Sequence, residues 1–500
     1  MYRTAVACGL LALLAAPVSA ADKLPPDETL AAIQDAVTGL IERASPSVAC
    51  LLVSRSDAYK QFGALPAADD PSGHLGAFDA VRFRKEAQDR HDRTREALVN
   101  RLDLAGPTNV PESFGSGIVI GEAGLVLTNY HVVREATKVY VRLPGGKGSY
   151  ADVHAADPRS DLAVLKMLAP PKGLKSLALG RGDDVRPGQF VLALTNRFAA
   201  GFRDTGPSAD WGIVSAVRTR QEPSRLEEQE RGKKLYQLST LIETTAKLNA
   251  GCSGGALLNM KGELIGITSS LAATANSDAP GGFAVPTGGA MQRIIETLKE
   301  GKEVEYGFLG VTFSPEALPE GVKILGVTTG SPAEQKRLPP GQYIVKVDGV
   351  RIRTNDDLAL AIGAALAGHT IKLELAATPD GPTREYPVTL AKYYVAGPFI
   401  ASVRPPAVGG LRVDYASTVI KTTAAGNMPI PEGVVVREVL PGSPAEKSNV
   451  EWDRAVITRV NGRAVFTPAE YYEEVRKGTG PLELKIKTRN GEDTVKLERK

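Results

Sequence analysis

The run Gly251-Cys252-Ser253-Gly254-Gly255 places one hydroxyl on a turn built from glycines. Glycine reaches backbone conformations that other residues avoid. A turn of this kind aims successive N–H groups at one point beside the hydroxyl, which is what stabilises an oxyanion during acyl transfer. A lone serine is a weak nucleophile, so the motif calls for a base and for an acid that orients the base. Five histidines are available, at positions 74, 91, 131, 154 and 369. His74 and His91 fall in an irregular charged stretch, His369 in a C-terminal repeat, and His154 beside a strand edge without distinctive context. His131, in Leu127-Thr128-Asn129-Tyr130-His131-Val132-Val133, directly follows an apolar strand and is the candidate base. Asp161, at the head of the apolar run 162–165, is the candidate orienting acid. Asp157 competes with it, although a carboxylate before Pro158 reads more naturally as a turn residue. The order His131, Asp161, Ser253 is one of three in which the serine triad recurs on unrelated folds, and it accompanies a double β-barrel.

The elements that must hold these residues are short strands. Apolar runs at 46–53, 117–120, 125–129, 138–142, 162–168, 190–194, 212–217, 256–258, 264–268 and 282–285 are separated by Gly, Pro and Asp, a spacing that predicts an antiparallel barrel or sandwich. A helix over 291–298 closes the region, giving a catalytic domain over 46–300 with a long insertion at about 54–112. Within the insertion, 82–101 alternates Lys and Arg with Asp and Glu and reads as a solvated helix. The polar leader 21–45 carries Leu30, Ile33, Val37, Leu40 and Ile41 at helical spacing.

Residues 1–20 stand apart. Arg3, an apolar stretch too short to span a bilayer and the small residues Val18-Ser19-Ala20 read as a secretory signal cut after Ala20. No later segment has the eighteen or so uninterrupted apolar residues of a membrane span, so no integral membrane segment is expected in the mature chain. With 60 basic against 57 acidic residues the chain is nearly neutral, which argues against nucleic-acid binding. Cys50 and Cys252, the two cysteines beyond the signal, leave a single bridge open as a possibility.

The last 200 residues or so repeat. Gly330-Ser331-Pro332-Ala333-Glu334 returns as Gly442-Ser443-Pro444-Ala445-Glu446, and Val347-Asp348-Gly349 as Val460-Asn461-Gly462. Two like domains follow, at 303–395 and 411–500, with the Pro- and Gly-rich segment 396–410 as a linker.

Taken together, these residues resemble the HtrA/DegP family of secreted trypsin-like serine proteases. The resemblance rests on Gly115-Ser116-Gly117, the His131 and Asp161 motifs, Gly212-Ile213-Val214-Ser215, the Ser253 motif and Gly282-Phe283-Ala284-Val285-Pro286. It implies a mainly β fold, a chymotrypsin-like double β-barrel followed by two PDZ domains of α+β type. Its mechanism is acyl transfer to Ser253, with His131 as general base and Asp161 holding the imidazole. Backbone N–H groups of Gly251, Cys252 and Ser253 form the oxyanion hole, and neither metal nor organic cofactor is required. It further implies a periplasmic, ATP-independent endoprotease for unfolded or damaged proteins, assembled as a trimer or higher oligomer. In the first PDZ domain Phe308-Leu309-Gly310-Val311 looks like the loop that captures a peptide C-terminal carboxylate. In the second, Gly410-Leu411-Arg412-Val413 aligns Arg412 with Gly310, which makes peptide binding there doubtful. Lys247 and Leu248 fall where proteases of this fold line the primary specificity pocket, and a lysine there favours an acidic residue at the cut or turns to solvent. The loop Thr195-Asn196-Arg197-Phe198-Ala199 departs from the family's Gly-Asn-Pro-Phe-Gly. The alternative is a protease-like chaperone or PDZ binding protein with little or no proteolytic activity.

Overall fold

The computed structural model describes residues 26–57, 100–106, 113–182, 184–199, 206–219, 240–269, 282–313, 321–395, 400–420, 429–448, 450–452, 455–488 and 491–499. The signal expected at 1–20 and most of the insertion at about 54–112 lie outside the described residues.

Helix α1 (Pro26–Ala44) leads into β1 (Val48–Ser54), a strand buried along its whole length. β1 reads as continuous apolar sequence because both of its faces are covered. Ala49, Leu51 and Val53 enter a barrel core, while Cys50 and Leu52 pack outside it beneath Leu104 and Tyr140. Its antiparallel neighbours are β2 (Ser113–Gly121) and β4 (Lys138–Arg142). The chain reaches β4 through β3 (Leu125–Asn129) and the one-turn helix α2 (Tyr130–Val133). β5 (Gly148–Asp157) and β6 (Leu162–Met167) complete the order β5-β4-β1-β2-β3-β6, which closes through β5–β6 pairing.

The second barrel consists of β7 (Phe190–Thr195), β8 (Ser208–Thr219), β9 (Thr240–Thr244), β10 (Ala256–Leu258), β11 (Leu264–Ser269) and β12 (Gly282–Pro286). It closes in the order β10-β11-β12-β9-β8-β7. Ile118, Leu127, Leu162, Leu192, Leu194, Ala256 and Ile267 belong to one core shared by the two barrels. Helix α3 (Ala290–Lys299) caps this core with Met291, Ile294, Ile295 and Leu298, the i, i+3, i+4, i+7 stripe of an amphipathic helix. The mainly β double barrel expected from the sequence is therefore present. β5 and β9 escape the sequence reading. β5 is rich in alanine, which has weak strand preference, and only barrel closure buries Ala151, Ala155 and Ala156.

The C-terminal part contains two sheets of one design. The first runs β14 (Val311–Phe313), β15 (Val322–Val327), β16 (Tyr343–Val347), β18 (Thr370–Ala376), β19 (Thr383–Thr389), with β17 (Val350–Arg351) on β16. It is rooted by the short pair β13 (Gly307–Phe308) and β20 (Ala391–Lys392), and it carries helices α4 (Pro332–Gln335) and α5 (Asn355–Ala364). The second runs β22 (Leu411–Tyr415), β23 (Val434–Val439), β24 (Val456–Val460), β26 (Leu482–Thr488), β27 (Gly491–Leu497), with β25 (Arg463–Ala464) on β24 and helix α6 (Pro468–Lys477). α5 and α6 open on the same capping box, Thr354 with Asp357 and Thr467 with Glu470. Asp348 and Asn461 take the same left-handed turn, at φ 49° and 48°.

The segment expected as a linker is partly a strand. β21 (Ile400–Ala401) pairs with Ala156 and Ala155 at the edge of the first barrel, Ser402 N–H donates to His154 O (2.8 Å) and Val403 N–H to Gly301 O (2.9 Å). Main-chain pairing requires little of the side chains, so Pro- and Gly-rich composition concealed it. The two repeat units are also tied together by ions. Buried Lys392 Nζ donates to Glu303 (3.1 Å), Glu305 (3.1 Å) and Asp414 (2.9 Å), and Arg437 bridges Glu303 and Asp414. Burial alone would lower the Lys392 pKa, but the carboxylates of Asp414, Glu305 and Glu303 outweigh it and raise it.

Candidate active site

Each barrel contributes one side of the site. At the end of β3, α2 presents His131 toward the turn between β5 and β6. Asp161 closes that turn in the left-handed region, at φ 55°, a conformation aspartate tolerates better than most residues. Its carbonyl accepts from Tyr130 N–H (2.9 Å) and Asn129 Nδ2 (3.1 Å). Its carboxylate Oδ1 accepts from His131 N–H (2.8 Å), and Oδ2 lies 2.7 Å from His131 Nδ1. An ionised carboxylate only accepts, so this contact puts the imidazole proton on Nδ1 and leaves Nε2 as the basic nitrogen. The Asp161 side chain is 6% exposed and that of His131 28%, so the acid is enclosed while the ring reaches the surface. Asp157, the competing carboxylate, is not on the imidazole. It accepts from Ser160 N–H (2.8 Å), Arg159 N–H (3.3 Å) and the Tyr306 hydroxyl.

Ser253 belongs to the second barrel, and β2 links it to the segment that carries His131. Ser116 N–H donates to Ser253 O (2.8 Å). A Cβ on the adjacent Gly115 would fall 2.6 Å from Val132, the residue after His131, and 3.3 Å from the Ser253 carbonyl. The turn around Ser253 is held by Cys252 N–H to Asn249 O (3.0 Å), Gly254 N–H to Thr268 O (2.8 Å) and Thr268 Oγ1 to Cys252 O (2.6 Å). Gly254, at φ 85°, admits no side chain, because a Cβ would collide with the Ser116 carbonyl and the Thr128 hydroxyl.

The residues before Ser253 are gripped from β2 and from the turn after β7. Ser116 Oγ donates to Gly251 O (2.7 Å) and accepts from Asn196 N–H (2.8 Å), and Phe198 N–H donates to Ala250 O (2.8 Å). The Ala250–Gly251 peptide is trans, so pinning its carbonyl on Phe198 points the Gly251 N–H the opposite way. Of the three N–H groups expected at an oxyanion hole, Cys252 is committed to Asn249, which narrows the donor set to Gly251 and Ser253. Neither the Ser116 hydroxyl nor Asn196 is singled out by the sequence for this grip on the turn. A serine between two glycines was the available signal.

The sequence leaves open the place of Lys247 and the pairing of the two cysteines. Lys247 is exposed, whereas Ala246 and Leu248 on either side are buried, the alternation of extended chain. Leu248 packs on Gly282 within the second barrel, while Arg197 Nη2 donates to Lys247 O (3.2 Å) and pairs with Asp210. Cys50 and Cys252 are both free and buried, in different cores, so no bridge joins them. Burial pushes the Cys50 thiol up to about 12. Cys252 Sγ lies 3.2 Å from Thr195 Oγ1, inside the second barrel.

The repeat also needs a new register. In the first copy Thr328 N–H donates to Gly310 O (2.8 Å) and Ala333 N–H to Leu309 O (3.0 Å). In the second, Leu440 N–H donates to Gly410 O (2.9 Å) and Ala445 N–H to Gly409 O (3.0 Å). A Cβ on Gly310 or Gly410 would collide with Ser331 or Ser443 respectively. Gly410, not Arg412, is thus the counterpart of Gly310, and the glycine is retained. What differs is how the loop is used. Phe308 pairs with Ala391 of β20, whereas Val408 and Leu411 exchange both backbone bonds (3.2 and 3.1 Å) and close the second loop on itself. Tyr472 on α6 then accepts from Val413 N–H (3.3 Å) at the edge strand.

Among the described residues, no group of three His, Cys, Asp or Glu side chains comes together as a metal site, and no helix is long and apolar enough to cross a membrane. The profile of the trypsin-like peptidase domain matches residues 115–267, and that of the PDZ domain residues 307–383. The chain is 31% identical over 451 residues to the "Probable periplasmic serine endoprotease DegP-like" of Ectopseudomonas mendocina (strain ymp), covering 87% of each. It is 29% identical over 362 residues to the "Periplasmic pH-dependent serine endoprotease DegQ" of Escherichia coli (strain K12), covering 70% of this chain and 73% of that one. Among solved structures, the HtrA-type protease AlgW with tripeptide aligns at a TM-score of 0.46 and 25% identity, over 71% of this chain and 96% of that one.

Proposed function

The chain belongs to the HtrA/DegP family of trypsin-like serine endopeptidases, and from that premise we propose that it degrades unfolded or damaged proteins in the periplasm without ATP. The observation that carries the reading is the pair of hydrogen bonds from His131, through N–H and Nδ1, to the two carboxylate oxygens of Asp161. Nε2 takes the Ser253 proton as the hydroxyl attacks the scissile carbonyl. The N–H groups of Gly251 and Ser253 stabilise the oxyanion, each worth about 3 kcal/mol in the transition state. The imidazolium, held by Asp161, then protonates the leaving amine, and water releases the acyl group by the reverse route. With Lys247 exposed and Leu248 packed on Gly282 in the second barrel, the family's preference for small aliphatic side chains at the cut is carried over to this chain. A reduced, unfolded protein incubated without nucleotide is expected to be cleaved mainly after Val and Ala. Cuts placed mainly after Asp and Glu would instead assign Lys247 to the pocket.

Peptide C-termini dock on the first PDZ domain, with the backbone of the Phe308–Val311 loop on the carboxylate and β14 as the edge for strand addition. The second unit serves assembly of the homo-oligomer, because the N–H groups of Val408 and Leu411 at its loop and of Val413 on its edge are spent internally. Titration with a fluorescent peptide that ends in a free carboxylate is expected to fill one site per chain, with amidation of that end weakening binding at least about tenfold. Two equivalent sites would show that the second groove opens in solution.

A further inference from the structure

The first PDZ domain is rooted in the turn that carries Asp161. Tyr306, immediately before β13, is fully buried and donates its hydroxyl to Asp157 Oδ2, while its carbonyl accepts from Tyr393 N–H (2.7 Å), just beyond β20. The Arg159 guanidinium lies 4.6 Å from the ring centroids of both Tyr306 and Tyr393. One short turn therefore meets the C-terminal unit at two successive points, through the Asp157 carboxylate and the Arg159 cation.

Asp157 is the internal brace of that turn. With one carboxylate it receives the N–H groups of Arg159 and Ser160, a local arrangement that fixes the backbone just before Asp161. Asp161 is left-handed and must present both of its oxygens to His131, so a small rotation of the turn is transmitted directly to the imidazole. Burial raises the Asp157 pKa, and the hydrogen bonds from Ser160, Tyr306 and Arg159 pull it back toward the ionised, accepting form. Among the described residues, Arg159 and Tyr306 are the charged and titratable side chains whose interactions with this carboxylate are seen.

We propose that Tyr306, supplied by the root of the first PDZ domain, is a positioning residue for catalysis that acts through Asp157 on the orientation of Asp161. The proposal rests on the reading of Asp161 as the orienting acid. It assigns the PDZ root a part in the chemistry separate from peptide capture a few residues downstream.

The test is a double-mutant cycle in the full chain with Tyr306→Phe, Asp157→Asn and the pair. Turnover is followed on an internally quenched peptide with an amidated C-terminus, and folding is checked by near-UV circular dichroism at the assay temperature. Each single variant is expected to lower kcat about tenfold, the rate equivalent of one buried hydrogen bond, with KM within about twofold. The double variant is expected to be no slower than the slower single one. A folded Tyr306→Phe protein with wild-type kcat overturns the proposal, as does a double variant whose loss is the product of the two. Should Tyr306→Phe fail to fold, Asp157→Asn alone decides by the same kcat and KM criterion. Failure of the underlying reading would look different, since Asp161→Asn would then retain most of its activity.

Discussion

Ser253→Ala is expected to lower kcat by about a millionfold and to abolish labelling by a fluorophosphonate probe, while Cys252→Ala keeps both labelling and turnover within about tenfold of wild type. The two residues are neighbours on one turn and both are buried, but the polar contacts of the Cys252 side chain are made inside the second barrel. Cys252 is fully buried, with its sulfur beside Thr195 Oγ1 and accepting from Asn249 N–H (3.3 Å). Its backbone N–H is equally committed, to Asn249 O. Neither its side chain nor its amide is placed to act on substrate, so its loss costs only packing in the second barrel. Ser253 comes two residues after Gly251, at φ 88°, and directly before Gly254, at φ 85°, and its carbonyl is fixed by β2 beside Val132. The measurement is probe labelling and steady-state turnover of both variants, with thermal unfolding as the control. Labelling that survived in Ser253→Ala and disappeared in Cys252→Ala would overturn the assignment of the nucleophile.

The parts of this site that were legible in the sequence are those where one residue type is physically required. Gly254 cannot carry a Cβ between Ser116 and Thr128, and a histidine after an apolar strand has few other reasons to be there. Short apolar runs between turn residues made an antiparallel barrel or sandwich legible, and the order His131, Asp161, Ser253 with the family resemblance pointed to the double barrel. Less legible was everything set by backbone pairing. The bonds of β21 to β5 need nothing of Ile400 and Ala401 beyond an extended chain. The register of the second repeat was misjudged for a similar reason. Arg412 stood out as a bulky residue, but alignment is governed by where Ser443 and the N–H groups of Leu440 and Ala445 meet the loop. The distance of Lys247 from Ser253 leaves its direction open, and it is the alternation with buried Ala246 and Leu248 that exposes it. Long-range contacts such as Tyr306 to Asp157 join residues 149 positions apart, and no local pattern announces them.

Asp161→Asn is expected to reduce kcat about ten-thousandfold with little change in KM, although the protein stays folded. Asparagine tolerates the left-handed backbone of this turn, and the bonds of its carbonyl to Tyr130 and Asn129 do not involve the side chain. What changes is the group facing His131 Nδ1. The His131 backbone N–H is a donor and holds the amide oxygen at the Oδ1 position, which turns the amide NH2 toward the ring. A donor there forces Nδ1 to present its lone pair, the proton moves to Nε2, and the imidazole can no longer accept from Ser253. Asp157→Asn four residues earlier removes no group from the imidazole and acts only through the turn, so it is expected to cost only about tenfold. The ratio between these two variants, about a thousand, separates the residue that sets the tautomer from the one that braces its turn. Measuring both on one peptide substrate settles which carboxylate orients the base. Equal losses, or a larger loss in Asp157→Asn, would overturn the assignment of Asp161.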